Sequence, residues 1–125
     1  MHEVPLEQFE AMVEGAVADL PDEFRERLEN VTFAVEERAA GADYARMRLA
    51  PGSTLLGVYR GVPLTQRGRG YNMALPDTIV IFRQPIQRLA RDEQDLVERV
   101  RHVVRHEVAH YFGISDDRLR EIGAY

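Results

Sequence analysis

Between Pro5 and Leu20 the apolar residues Phe9, Met12, Val13, Ala16, Val17 and Leu20 recur at a helical interval and share one face. Pro5 suits a first-turn position, where a missing N–H costs nothing, and Glu3 and Glu7 favour the positive end of the helix dipole. Pro21 interrupts this pattern, and Asp22 to Leu28 predicts one or two further turns. From Val31 to Val35 the period changes to two, which reads as a strand. Glu36 to Ser53, with Gly41, Pro51 and Gly52, reads mostly as loop. Leu55 to Val62 (LLGVYRGV) predicts a second strand, in which Gly57 and Gly61 point to a bulge or a close approach. Thr65 to Pro76 contains Gly68 and Gly70 and reads as a mobile loop, either a plain hairpin connection or a substrate lid. The unbroken apolar run Thr78 to Phe82 (TIVIF) predicts a buried central strand closed by Pro85.

The strongest helical signal follows. Asp92 is a candidate N-cap, with Glu93 and Asp95 in the first turn. Leu96, Val97, Val100, Val103, Val104, Val108 and Tyr111 then keep a helical period until Gly113, a candidate C′ glycine. A further short helix is expected from Asp116 or Asp117 to Ile122. The predicted order is helix, strand, strand, strand, helix, helix. That order belongs to an α+β or α/β layer domain, and 125 residues predict one domain, 1–125.

Composition narrows the chemistry. The chain has 45% hydrophobic and 30% charged residues, a globular balance. Cysteine is absent, which excludes disulfides, thiolate metal sites and thiol nucleophiles, so any metal site must use His and carboxylates. All 16 basic residues are Arg, which excludes Schiff-base lysines and the P-loop lysine. The net charge of −5 argues against general nucleic-acid binding. That total hides a division. Residues 1–43 carry 12 acidic and 3 basic groups, whereas Asp77 is the one acid against 8 Arg in residues 44–91. One reading packs an acidic N-terminal helix near a basic sheet segment. The other places Arg67 and Arg69 beside a site for a carboxylate or acidic peptide. No apolar run approaches the roughly 18 residues that a membrane helix needs. Met1-His2-Glu3-Val4-Pro5 lacks a basic, then apolar, leader, so a cytoplasmic location is expected, with His2 in a disordered terminus.

Within the long helix stands His106-Glu107-Val108-Ala109-His110, the pattern H-E-x-x-H. Residues four apart share a helix face, with Cβ atoms about 5–6 Å apart, so two imidazoles can converge on one ion. Glu107 lies about 100° around the helix from His106, within reach of a water activated by that ion. It falls inside the apolar stripe, beside Val100 and Val103, where a carboxylate is costly without a partner. The run continues Tyr111-Phe112-Gly113-Ile114-Ser115-Asp116. A glycine can turn the chain through a left-handed conformation and return residue 116 towards the ion. Three protein ligands and a water make a catalytic zinc site, and Asp116 completes such a set with His106 and His110. Only 15 residues follow His110, so the acidic candidates expected for the third place are Asp116, Asp117 and Glu121. Asp116 has the glycine-turn spacing; its rival role is N-cap of the last helix, and it could serve both purposes. His102 extends the histidine ladder one turn back, as a surface residue or as a supporting or alternative metal contact.

The extended pattern H-E-x-x-H-x-x-G-x-x-D is similar to the metzincin-type motif with Asp in place of the third His. The wider run GVPLTQRGRG…LPDTIVIFRQPI…HEVAHYFGISDDRLREIGAY resembles the small bacterial zincin-like metallopeptidase family, closely over residues 54–125 and more loosely before them. The four methionines are Met1, Met12, Met47 and Met73, so no Met-turn follows the motif, a departure from true metzincins. The resemblance implies a minimal zincin fold: a small mixed sheet of three to four strands on an active-site helix, plus N- and C-terminal helices. It also implies one zinc ion at His106, His110 and Asp116, with Glu107 catalytic. The implied activity is hydrolysis of peptide bonds in a peptide or protein substrate, by a zinc-activated water with Glu107 as general base. Tyr71, Arg67, Arg118 and Tyr125 are candidates to steady the oxyanion. Two other classes compete. One is a non-catalytic zinc- or peptide-binding module of the same fold. The other is a zinc nuclease, because rRNA-processing endoribonucleases read H-G-x-x-H-x-x-G-x-D-H. Glu107, where those enzymes carry glycine, and the net charge both count against a nuclease.

Overall fold

The computed structural model describes residues 1–28, 30–46, 55–61 and 77–114. In chain order the elements are α1 (Leu6–Ala18), α2 (Asp22–Arg25), β1 (Val31–Glu36), α3 (Gly41–Arg46), β2 (Gly57–Arg60), β3 (Asp77–Phe82), α4 (Arg83–Leu89) and α5 (Glu93–Tyr111). The strands form one mixed sheet in the order β1-β3-β2. β1 runs parallel to β3, with Phe33 opposite Ile79, and β2 runs antiparallel to it, with Tyr59 also opposite Ile79. The fold is α+β, and among the described residues its mixed sheet has three strands, within the three to four expected. The predicted last helix and the Thr65–Pro76 loop lie outside the described residues.

β3 is central and covered on both faces, which explains its unbroken apolar run. Ile79 and Ile81 join Tyr59 and the buried stripes of α1 and α5, including Phe9, Val13, Val100 and Val104. Val80 and Phe82 point the other way and meet Val58 and Leu55, with Tyr44 of α3 packed against them. At the sheet's margin the Tyr59 hydroxyl donates to the buried Asp77 carboxylate at 2.7 Å, and the Tyr59 ring meets Tyr111 edge-on at 5.7 Å.

Three expectations need correction. The stretch after Glu36 contains a helix, α3, too short to show a period. Its start is fixed by Asp43, whose carboxylate accepts the Ala40 N–H at 2.9 Å in the manner of half a capping box. Pro85 does not close β3. The strand passes directly into α4, and Pro85 stands in that helix's first turn, where no N–H is required. His2 is not in a loose terminus either. Its N–H donates to the Gln87 carbonyl at 3.0 Å, Val4 N–H donates to Gln87 Oε1 at 2.9 Å, and Arg83 donates to the Val4 carbonyl at 2.7 Å.

The division of charge also takes a different form from the one expected. Among the described residues the basic segment is met by the end of β1 and by α3, not by α1. Arg60 donates to Glu36 at 3.0 and 3.2 Å and to Asp43 at 2.9 and 3.1 Å, and Arg83 pairs with Glu37. The Glu36 hydrogen bonds, and then those to Asp43, hold the Arg60 guanidinium above its already high range. Arg67 and Arg69 lie outside the described residues.

The contact that positions everything else is between α5 and β2. A Cβ added at Gly57 would stand 2.7 Å from Val103 Cγ1, 3.1 Å from the Val80 carbonyl oxygen and 3.2 Å from Glu107 Cγ. The close approach suggested by the sequence is therefore the seat of the motif helix. One of those neighbours is backbone and another a stiff β-branched side chain, so neither yields cheaply. Gly57→Ala is expected to lower the unfolding free energy by about 1–3 kcal/mol, the usual cost of overpacking. The reading is a lower denaturant midpoint at unchanged slope; an unchanged midpoint would show that α5 has room to move.

Candidate metal centre

α5 has 19 residues and is fixed at both ends. At its start Asp92 accepts the Asp95 N–H at 2.8 Å, while Asp95 accepts the Arg91 N–H at 2.9 Å, a reciprocal pair of caps. That backbone bond, and then the one from Arg99, holds the Asp95 carboxyl below the usual carboxylate range. The cap's charge is thus complete at neutral pH and lost only when the pH falls through that lowered value. At the other end the Ile114 N–H bonds to the Ala109 carbonyl at 2.9 Å and the Gly113 N–H to the His110 carbonyl at 2.9 Å. With Gly113 at φ 77°, this is a Schellman closure, and the C′ glycine is the one expected.

Between these caps the helix fixes the rotational phase of each motif residue. Leu96, Val100, Val103, Val104 and Val108 face the core, and Glu107 goes in with them at 4% exposure. His106 and His110 flank the stripe and are half-buried. Their ring centroids are 4.5 Å apart at 67°. Nitrogen and oxygen donors from His106, Glu107 and His110 all fall within 4.8 Å of one another. Glu107 Oε1 lies 3.2 Å from His110 Nδ1. With the proton on Nδ1, His110 donates to Glu107 and carries its lone pair on Nε2. His102 is exposed, with its ring stacked towards His106 at a centroid distance of 6.4 Å. Tyr111 is fully buried and Phe112 packs on the core, so both are structural.

Asp116 lies outside the described residues, as do Asp117, Glu121, Tyr71, Arg118 and Tyr125. Of the predicted site residues, the structure brings together His106, Glu107 and His110. Sequence reasoning missed the part played by Gly57. Its signal was present as a glycine inside a strand, but only the fold shows that the close neighbour is Glu107.

The donor chemistry fits a zinc ion. Two imidazoles four residues apart are ligands that zinc takes, and a buried carboxylate stands beside them. Among the described residues, Glu107 has His110 as its hydrogen-bonding and ionic partner and no arginine. A buried carboxylate so sparsely compensated is expensive, and a nearby cation removes much of that cost.

An α+β fold that buries a glutamate between two helical histidines defines a zincin-like class of protein. A family model described as zincin-like metallopeptidase matches residues 28–124, and the chain belongs to that family. The fold is similar to that of a conserved hypothetical protein from Thermo thermophilus. The TM-score is 0.58 at 22% identity, over 87% of this chain and 94% of that one. No curated protein matches the sequence. None of the described helices is long and apolar enough to cross a membrane.

The donor set leads to a measurable expectation. Zinc at about a hundredfold excess over its dissociation constant should stabilise the fold by about 2.7 kcal/mol. Scanning calorimetry would register this as a raised Tm. His106→Ala and His110→Ala should each abolish the rise; a rise that survives both would place the ion elsewhere.

Proposed function

We propose that this protein is a zinc-dependent peptidase, with His106, His110 and Asp116 holding one zinc ion and Glu107 acting as general base. The observation that carries the reading is the burial of Glu107 in the helix stripe, with His110 as its partner and His106 beside it. Family membership over residues 28–124 supports it, and Gly113 supplies the turn that the motif requires before Asp116. A zinc ion bound there supplies Lewis acidity to a water and to the scissile carbonyl.

The remaining work falls to the chain. Glu107 takes a proton from the attacking water and later delivers it to the leaving amine nitrogen, so the carboxylate is regenerated in each turnover. Its burial, with the side chain seated over Gly57 of β2, shields the base from bulk water. His110, through its contact with Glu107 Oε1, orients the base. β2 is an outer strand of the sheet among the described residues, and it runs directly beside Glu107. A peptide added antiparallel to that edge would bring its backbone to the base, with main-chain hydrogen bonds as recognition. Substrates on this reading are peptides or extended protein segments.

The decisive variant is Glu107→Gln, which keeps the shape and removes the base. It should lower turnover of a peptide library by about 10²–10⁴-fold while binding zinc as the parent does. Equal turnover by parent and variant would overturn the peptidase reading. A parent that binds zinc and peptide yet hydrolyses nothing would instead be a non-catalytic binding module.

A further inference from the structure

α5 carries three histidines at steps of four residues, His102, His106 and His110, and the site uses the inner two. Their exposure is graded. His102 is exposed, His106 and His110 are half-buried, and Glu107 is 4% exposed. The His102 and His106 rings are inclined by only 29° with centroids 6.4 Å apart. Two nitrogens on one tetrahedral zinc ion lie about 3.3 Å apart, as follows from zinc–nitrogen bonds of about 2.0–2.1 Å. His102 stands one turn from His106 on the same helix face and is exposed, so its side chain can rotate to bring a ring nitrogen to that separation.

We infer that His102 is the metal-entry residue of this protein: it takes a zinc ion from solvent together with His106 and passes it one helical step inward to the His106–His110 site. The inference rests on the zinc reading above. His106 belongs to both pairs, so the outer and inner positions exclude one another and the outer one is a stage, not a second store. The inner position has the buried Glu107 carboxylate beside both of its histidines, so its negative charge compensates an ion there better than beside the exposed His102. The resting place is therefore inside. Transfer spans four residues, about 6 Å along the axis.

The surroundings explain why such a stage matters. Arg101 and Arg105 flank His102 on the helix, Arg101 paired with Asp19 and Glu98 and Arg105 exposed. The charges around His102 are therefore mixed, with Asp19 and Glu98 offsetting Arg101, and His102 is the exposed imidazole that an approaching dication meets. An exposed imidazole can replace one water of a hydrated ion while the others remain, so dehydration proceeds in steps before the ion reaches the buried carboxylate. The same route serves release, because a stage that lowers the barrier lowers it in both directions and leaves the equilibrium unchanged.

The test uses the full chain and zinc alone. Stopped-flow mixing measures association, transfer to an excess of chromophoric chelator measures release, and competition with that chelator measures equilibrium affinity. In His102→Ala both rates should fall together by roughly tenfold, about 1.4 kcal/mol on the shared barrier, with affinity unchanged. His102→Cys, which keeps a zinc donor at the same helical position, should restore fast exchange. Unchanged rates in a variant that still binds zinc would overturn the entry role. Weaker affinity with faster release would overturn it too, and would make His102 a resident ligand. A parent chain that takes up no zinc would remove the zinc reading itself, an outcome distinct from both.

Discussion

The approach of α5 to β2 at Gly57 is the constraint on which the rest of the molecule depends. A helix can come this near a strand only where the strand lacks a side chain, and Gly57 meets Val103 and Glu107 together. Val103 belongs to the core and Glu107 to the site, one turn apart on the same face. The contact that closes the core therefore also buries the carboxylate. A layer domain of this size has a small core to spend, and here part of it surrounds an ionisable group.

Burial alone would make Glu107 a liability, and the rest of α5 shows how it is tolerated. The helix is capped at both ends, so its phase is set and the apolar face from Leu96 to Val108 stays inward. Hydrophobic burial on that face, at about 25 cal/mol per Å² of apolar area, supplies the favourable term that outweighs one poorly compensated carboxylate. Placing the site on a rigid helix in place of a loop also fixes the separation of His106 and His110 before any ion arrives. Preorganisation of that kind reduces the ordering cost of binding.

The sequence revealed much of this, and unevenly. α5, its Asp92 cap, its Gly113 terminus and the rotational positions of His106, Glu107 and His110 follow from a 3.6-residue period sustained over 19 residues. β3 was readable as central because a run apolar at every position must be covered on both faces. α3 and α4 were not, because helices of six and seven residues leave no period, and each is held by distant partners. Arg60 and Ala40 fix Asp43, while Val4 and His2 meet Gln87 across more than eighty positions of sequence. The pairing of Arg60 with Glu36 and Asp43 shows the same limit. Composition exposed the division of charge, but only the sheet register decided which acids met which arginines.

That division of charge has a consequence for the site. Arg60 lies on the face of β2 opposite Gly57 and is committed to Glu36 and Asp43, and Arg83 is committed to Glu37. Side chains alternate across a strand, so positions an odd number apart on β2 serve opposite purposes: Gly57 admits the acid, and Arg60, three residues on, neutralises other acids away from it. An arginine brought to Glu107 would have satisfied the carboxylate permanently and left it a poor base and a poor neighbour for a cation. With Arg60 on the far face, Glu107 has a histidine as its partner among the described residues, and a histidine can share its protons in a way that a guanidinium cannot.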